Sequence, residues 1–197
     1  MTFKLSLPAL ICVGTLSACG GSSSGIGFDQ LRGTGERVTL ALRDLDSTPL
    51  RDLPSGTATY EGIAVLGEAP SSFASQAEYA VVGASTVTVN FADADDIVAS
   101  VTDLFEVAPE SLSSDSDLRF EQSARAVDGG LTYDATTEAI TGSITRSSGE
   151  TRDYELFVTR SEYLGDDAEG LETISTGQST SEGSSPKFVF LRTSGLR

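Results

Sequence analysis

The stretch Ser85-Thr86-Val87-Thr88-Val89-Asn90-Phe91 alternates strictly between polar and apolar side chains. In an extended chain Val87, Val89 and Phe91 point to one side, and the polar residues between them point to the other. β-Branched residues at this density favour a strand over a helix. The stretch therefore predicts a strand with one face in a core and the other in solvent.

Strands of the same kind are predicted on both sides of this stretch, separated by turn residues rich in glycine, proline and serine. They are predicted at residues 38–42, 57–66, 78–82, 97–101, 118–126, 131–133, 137–146, 151–160 and 187–191. No segment shows a convincing helical periodicity, and the polar segment 163–183 shows few apolar residues. Short strands at regular spacing predict an all-β sandwich or barrel.

A barrel is favoured over a sandwich for two reasons. Gly62 and Gly142 lie inside strand patterns, where glycine permits sharp coiling or a close approach of two backbones. The last strand, 187–191, is apolar, and closure of the sheet would give it a partner in place of an exposed edge. We predict a single antiparallel eight-stranded β-barrel over residues 36–197.

The composition excludes several classes of function. The 197 residues contain no histidine and carry a formal net charge of −16. Without histidine there is no Ser-His-Asp triad, no Cys-His pair and no histidine metal site. The strong negative charge disfavours a nucleic-acid partner. Serine is abundant, but no base is placed to activate it. A Ser-Lys pair would need Lys187, the only lysine after the first 18 residues, which lies in the predicted closing strand. We expect neither catalysis nor a cofactor.

The N-terminus is typical of an exported and lipidated protein. Lys4 is followed by an apolar run over 5–13, which is too short to span a bilayer. The sequence Leu16-Ser17-Ala18-Cys19 resembles the bacterial lipobox, although its small residues would also suit ordinary signal-peptide cleavage. The resemblance implies a signal peptide at 1–18, cleavage before Cys19 and membrane attachment through lipid on Cys19.

The residues after Cys19 predict a tether and a location. The segment 20–27 consists almost entirely of glycine and serine, so we assign 19–35 to the lipidated cysteine and a flexible tether. Within it, Phe28 and Leu31 could dock on the domain or could be loose. Gly20, rather than an aspartate, follows the cysteine, which resembles the sorting pattern of outer-membrane lipoproteins. The surface and the periplasmic face of that membrane both stay open.

Three further segments resemble the β-barrel module of transferrin-binding protein B and related Gram-negative lipoproteins. Gly56–Ala64 is similar to the opening strand of that module, and Ala84–Phe91 to a strand ending in Asp-Phe or Asn-Phe. Tyr163–Leu171 resembles the segment that precedes the closing strand. The resemblance implies a barrel and an outer-membrane anchor, and it is compatible with surface exposure. It implies no particular ligand.

Aromatic side chains are the candidates for ligand contact. Tyr60, Phe91, Tyr133, Tyr154 and Phe188 could line a cavity or form a binding patch. The interior of an eight-stranded barrel is just wide enough for side chains to fill it, so we expect these residues to form core. The first four are kept as candidate ligand-binding residues.

Acidic clusters are the candidates for a metal site. They are Asp93, Asp95 and Asp96; Asp115 and Asp117; and Asp166 and Asp167. None has the glycine and distal glutamate of a calcium-binding EF-hand loop. We therefore expect solvated turns and no bound metal.

These features predict a monomeric outer-membrane lipoprotein that acts as a non-catalytic surface binding protein for a protein or solute ligand. One alternative is a lipocalin-like carrier of a small hydrophobic or haem-like ligand. Another is an envelope structural protein without a ligand. An internal cavity above about 300 Å³ would favour the carrier. A filled barrel with an exposed apolar patch would favour a protein partner.

Overall fold

The strand predicted around Ser85 is the second of nine strands in a computed structural model that describes residues 25–70, 76–92, 97–109 and 124–197. The elements are helix α1 (Phe28–Arg43), a short 3-10 helix (Leu50–Asp52), β1 (Thr57–Ala69), β2 (Tyr79–Asn90), β3 (Ile97–Val107), β4 (Arg125–Ala126), β5 (Asp128–Asp134), β6 (Ala139–Thr145), β7 (Thr151–Leu164), β8 (Gly170–Thr180) and β9 (Lys187–Leu196).

Eight of the strands close into an antiparallel barrel, which confirms the predicted fold class. Each strand pairs with its neighbour along the chain, except that the two-residue β4 only extends the edge of β3, so that β5 pairs with β3. The last strand closes the ring on the first, with Leu66 opposite Leu191. The final apolar strand thus has the partner that its sequence required.

Alternate residues of each strand point into the barrel and form two clusters. One cluster lies where β1 ends and β2 begins, and it includes Leu66, Val81 and Leu156. The other lies at the opposite end and includes Tyr60, Val89 and Leu171. We call the first the closed end, because a cluster of charged side chains lies in it, and the second the open end, because it holds a cavity.

Glycine permits tight closure where β1 meets β9. Gly62 lies opposite Gly195 in the register of these strands. A Cβ atom at Gly62 would collide with the backbone carbonyl of Ser194. A Cβ atom at Gly142 would similarly meet the carbonyl of Gly130. Both glycines singled out in the sequence therefore allow two backbones to approach closely.

Gly62→Ala is expected to lower the free energy of unfolding by about 1–3 kcal/mol, since a methyl group must be forced against backbone. Gly33→Ala is the matched control. Gly33 is exposed in α1 with no atom within 4 Å of the added Cβ, and the change should be neutral or stabilise by up to about 1 kcal/mol. Urea unfolding measures both. Equal unfolding midpoints for the two variants would contradict a close approach of the β1 and β9 backbones at Gly62.

The segment 28–43 corrects the sequence analysis, which predicted no helix and a strand at 38–42. Leu31, Gly35, Val38 and Leu42 are the buried residues of α1, at the spacing of one helical face. Leu40, which an alternating strand would have buried with Val38 and Leu42, is 61% exposed. The alternation at 38–42 was only a fragment of a longer helical pattern.

Helix α1 lies along the outside of the barrel from the closed end to the open end. Leu31 packs with Val65 and Val107 on the outer face of the sheet, and Phe28 lies 5.5 Å from Phe105 between ring centres. At the other end of the helix Leu42 packs against Leu164 and Leu196. Of the two alternatives for Phe28 and Leu31, the structure shows docking on the domain.

Candidate functional site

A buried charge cluster fills the closed end of the barrel. Glu68 on β1 is only 2% exposed, and its carboxylate accepts hydrogen bonds from the guanidinium of Arg146 and the hydroxyl of Tyr154. The Nε atom of Arg152 lies 3.6 Å from the same carboxylate. The Arg146 guanidinium also lies 4.0 Å above the ring of Tyr79. A buried carboxylate is tolerated here because cations and a hydroxyl surround it.

Glu150 completes this cluster, in the turn between β6 and β7. Its Oε1 accepts hydrogen bonds from Arg152 Nη1 at 2.9 Å and from Ser181 Oγ at 2.8 Å, and its Oε2 lies 3.3 Å from Arg146 Nη1. The Ser181 hydrogen bond, together with the two arginines, lowers the pKa of Glu150. Two carboxylates thus face two guanidiniums at this end of the barrel.

Burial raises the pKa of several tyrosines of the barrel, so the stability of the protein should depend on pH. Burial raises the pKa of Tyr60 to about 12, and it raises the pKa of Tyr79, Tyr154 and Tyr163 as well. The negative charge of Glu68 adds to the shift at Tyr154.

We expect stability to fall as the pH rises from about 10 towards 12, because unfolded tyrosines lose their protons near pH 10 while the folded chain keeps them. Ultraviolet absorbance of phenolate, followed during urea unfolding at several pH values, measures this. A free energy of unfolding that stays constant between about pH 9 and pH 11 would contradict the burial of these hydroxyls.

The open end holds a cavity of about 340 Å³. Inward-facing side chains of the strands form its wall, and most of them are aliphatic or aromatic. Those that define it are Val87, Val101, Tyr133, Ile140, Tyr163 and Leu191. Tyr60 and Tyr154 are buried in the core, as expected, but side chains do not fill the interior at this end of the barrel.

The cavity exists because the inward side chains at several positions are short. On β8 and β9 the inward positions facing the cavity include Thr173 and Thr193, whose hydroxyls lie 2.6 Å apart and bond each other. On β3 the corresponding position is Ala99. A large apolar residue at any of these positions would reach into the empty volume. The cavity is thus a consequence of residue size at a few inward positions.

A gap in the barrel wall opens the cavity to solvent. The β5–β6 hairpin is short, so β6 pairs with β7 only as far as Phe157, whereas β7 continues to Leu164. On the other side, β3 pairs with β5 only at Ser100 and Val101, beyond Ile97–Ala99. Within the described residues this leaves an opening above the hairpin tip, which we call the notch. Thr137 and Glu138 form its lower edge.

Exposed apolar side chains flank the notch. Val158, which lines the cavity, is 42% exposed, and its neighbour Phe157 is 47% exposed. Val98, on the opposite edge, is 63% exposed. An apolar molecule that approaches the cavity would meet these side chains first.

The candidate aromatic residues divide between the two ends. Tyr133 lines the cavity. Tyr60 and Phe91 lie behind the cavity-lining Tyr163, at 6.3 Å and 5.5 Å between ring centres, and the Tyr60 hydroxyl donates to the carbonyl of Ala168 at 2.8 Å. Tyr154 lies in the charge cluster at the closed end.

Phe188 lies on β9, next to the inward-facing Val189, and does not line the cavity. Sequence reasoning missed Tyr163 and Glu138 as cavity residues. Tyr163 stood at the start of the segment that resembles the transferrin-binding protein B module, and Glu138 near the start of a predicted strand, and neither position indicated a cavity.

The acidic clusters supply no metal site in the described part of the chain. Asp93, Asp95, Asp96, Asp115 and Asp117 lie outside the described residues, as does Cys19. Asp166 and Asp167 lie in the turn between β7 and β8. Among the residues that the structure describes, no three His, Cys, Asp or Glu side chains come together as metal ligands.

Comparison with known proteins gives no family assignment: no family model matches the chain, and no curated protein matches it significantly. The resemblance to the barrel of transferrin-binding protein B stays a prediction. In the described ranges, no helix combines the length and the apolar content needed to cross a membrane.

Proposed function

We propose that this protein is a non-catalytic binding protein that holds one small apolar molecule in the cavity at the open end. The observation that carries the proposal is the cavity of about 340 Å³ with its largely apolar wall. Ligand sites are typically concave, mainly apolar and at least about 300 Å³ in volume. Barrels of eight strands are wide enough to hold one small ligand, as lipocalins do.

The size of the cavity limits the ligand. One water-sized group occupies about 30 Å³, so the cavity accommodates on the order of ten such groups. A medium-length aliphatic chain or a substituted single ring fits this limit. Of the two leading hypotheses from the sequence, the carrier is therefore favoured over a protein binder with a filled barrel. The exposed Phe157, Val158 and Val98 support access to the cavity, because they flank its opening.

We also propose that lipid on Cys19 attaches the protein to the outer membrane. The tether between Cys19 and Phe28 reaches at most about 30 Å. The helix that follows begins at the closed end of the barrel, where Phe28 contacts Phe105. The attachment point is then at the closed end, and the notch is at the end remote from it. If Cys19→Ser cells still hold the protein in their membrane fraction, the anchor is not a lipid on this cysteine.

Binding of decanol tests the ligand proposal, because its length suits the cavity and it carries no charge. The full chain with Cys19→Ser, purified without detergent, is titrated with decanol while it holds the neutral fluorescent probe Nile red. We expect displacement of the probe with one site per chain and a rise in the midpoint of thermal unfolding. If saturating decanol causes no displacement of the probe and no thermal shift, the proposal is overturned.

A further inference from the structure

The charges around the cavity are unevenly distributed. Of the nineteen described residues that line it, Glu138 is the one with a charged side chain, and none of the nineteen is a lysine or an arginine. Nearby arginines already pair with carboxylates of the protein. Arg160, beside the cavity-lining Ser161, pairs with Glu162, and Arg192 pairs with Glu172 at 2.6 Å. Arg146 and Arg152 belong to the cluster at the closed end. Among the described residues that line the cavity, no cation is therefore placed to receive an anionic ligand.

Several hydroxyls of the cavity lining already have hydrogen-bond partners within the protein. The hydroxyls of Thr173 and Thr193 bond each other at 2.6 Å. At the edge, the Thr137 hydroxyl donates to the carboxylate of Asp134 at 3.1 Å. A ligand group inside the cavity thus meets a largely apolar wall, in which the hydroxyls of Thr137, Thr173 and Thr193 already have partners. A ligand with a polar head would keep that head at the notch.

Glu138 is the group that such a head would meet. It is exposed at the tip of the β5–β6 hairpin, with φ of 54°, and it also lines the cavity. The turn around it is fixed, because Asp134 accepts a hydrogen bond from the backbone N–H of Thr136 at 2.9 Å. In the described part of the chain the Glu138 carboxylate has no hydrogen bond and no ion pair within the molecule.

We propose that the cavity takes a small apolar amine, with the hydrocarbon part inside the barrel and the ammonium group beside the Glu138 carboxylate. This inference rests on the proposed function and specifies its ligand class. The net charge of −16 acts in the same direction, because it attracts cations and repels anions over the whole surface. A carboxylate of the same length would bring a second negative charge beside Glu138, and none of the described residues that line the cavity is a cation that could balance the two charges.

The test compares three ligands of equal chain length: decylamine, decanol and decanoate. Near neutral pH the amine is protonated and the acid is ionised. Displacement of Nile red from the Cys19→Ser chain gives the three affinities. We expect the amine to bind about threefold more tightly than the alcohol, as an exposed ion pair predicts, and the carboxylate to bind at least about tenfold more weakly. Added salt should reduce both differences.

Variants separate a local contact from the general charge of the surface. Glu138→Gln should abolish the preference for amine over alcohol, measured as the ratio of the two affinities on the same variant. Glu155→Gln is the matched control, because Glu155 is exposed on β7, does not line the cavity, and its loss changes the net charge equally. This control should keep the preference.

The outcomes distinguish the two proposals. If none of the three compounds displaces the probe, the proposed function fails. If decanol binds but the carboxylate binds as tightly as the amine, the proposed function stands and the inference is overturned. The same holds if Glu138→Gln keeps the full preference for the amine.

Discussion

Glu68→Gln is expected to lower the free energy of unfolding by about 3–5 kcal/mol, the usual cost of removing one partner of a buried ion pair. Glu68 is 2% exposed and is the common acceptor for Arg146 and Tyr154. A neutral amide of the same shape leaves the positive charge of the two arginines balanced by Glu150 alone. It also presents an N–H group to donors that need an acceptor.

Glu61→Gln is the control for this effect, because Glu61 lies on the same strand but is exposed. Its change should stay within about 0.5 kcal/mol. Urea unfolding followed by circular dichroism measures both variants. If Glu68→Gln is no less stable than Glu61→Gln, the closed end is not held by a buried charge cluster. If Glu68→Gln does not accumulate as folded protein while Glu61→Gln does, the prediction holds in its strongest form.

Ala99→Phe is expected to abolish most ligand binding without loss of stability. Ala99 lines the cavity from β3, and a phenyl ring there would occupy volume that the ligand needs. Loss of about 100 Å² of buried ligand surface corresponds to about 2.5 kcal/mol, or roughly a 60-fold weaker affinity for decanol. Because the ring enters existing space, the unfolding midpoint should stay unchanged or rise, unlike that of an overpacked core.

Ala41→Phe provides the same chemical change away from the cavity, at an exposed position of α1. Its affinity for decanol should equal that of the parent chain. Probe displacement and thermal unfolding are measured on both variants. Undiminished decanol binding by a folded Ala99→Phe chain would mean that the ligand binds elsewhere.

The sequence predicted the strands that have one apolar face, and it predicted their closure. The alternation of Val87 and Val89 is visible because these side chains share an apolar interior. The close approach at Gly62 and the need of the last strand for a partner follow from local composition in the same way. These features depend on period, turn chemistry and edge protection, all of which lie in the chain itself.

Strand β8 shows where this reasoning fails. Its inward positions are Leu171, Thr173, Ser175, Gly177 and Ser179. Most of these are small or polar, because they face the cavity or the charge cluster rather than a packed apolar core. The usual alternation of apolar and polar residues is therefore missing. The small and polar inward residues thus make this barrel interior unusual, and they also remove the alternation from which the strand could have been predicted.

The cavity itself was beyond prediction from sequence. It depends on which strands are short, as β6 is because it begins only at Ala139, and on the residue sizes that meet across the barrel. Glu68 was equally hidden, since a glutamate in a strand normally indicates a solvent-facing position. Its partners Arg146 and Arg152 lie far along the chain, and only the closed barrel brings the three together.

A crystal structure of the protein grown with a bromine-labelled decanol tests the central claim most directly, because anomalous scattering locates the bromine atom. The account predicts one bromine site per chain, inside the barrel among Val101, Leu131 and Leu191. Bromine found only on the outer surface, with the cavity filled by water alone, would contradict it.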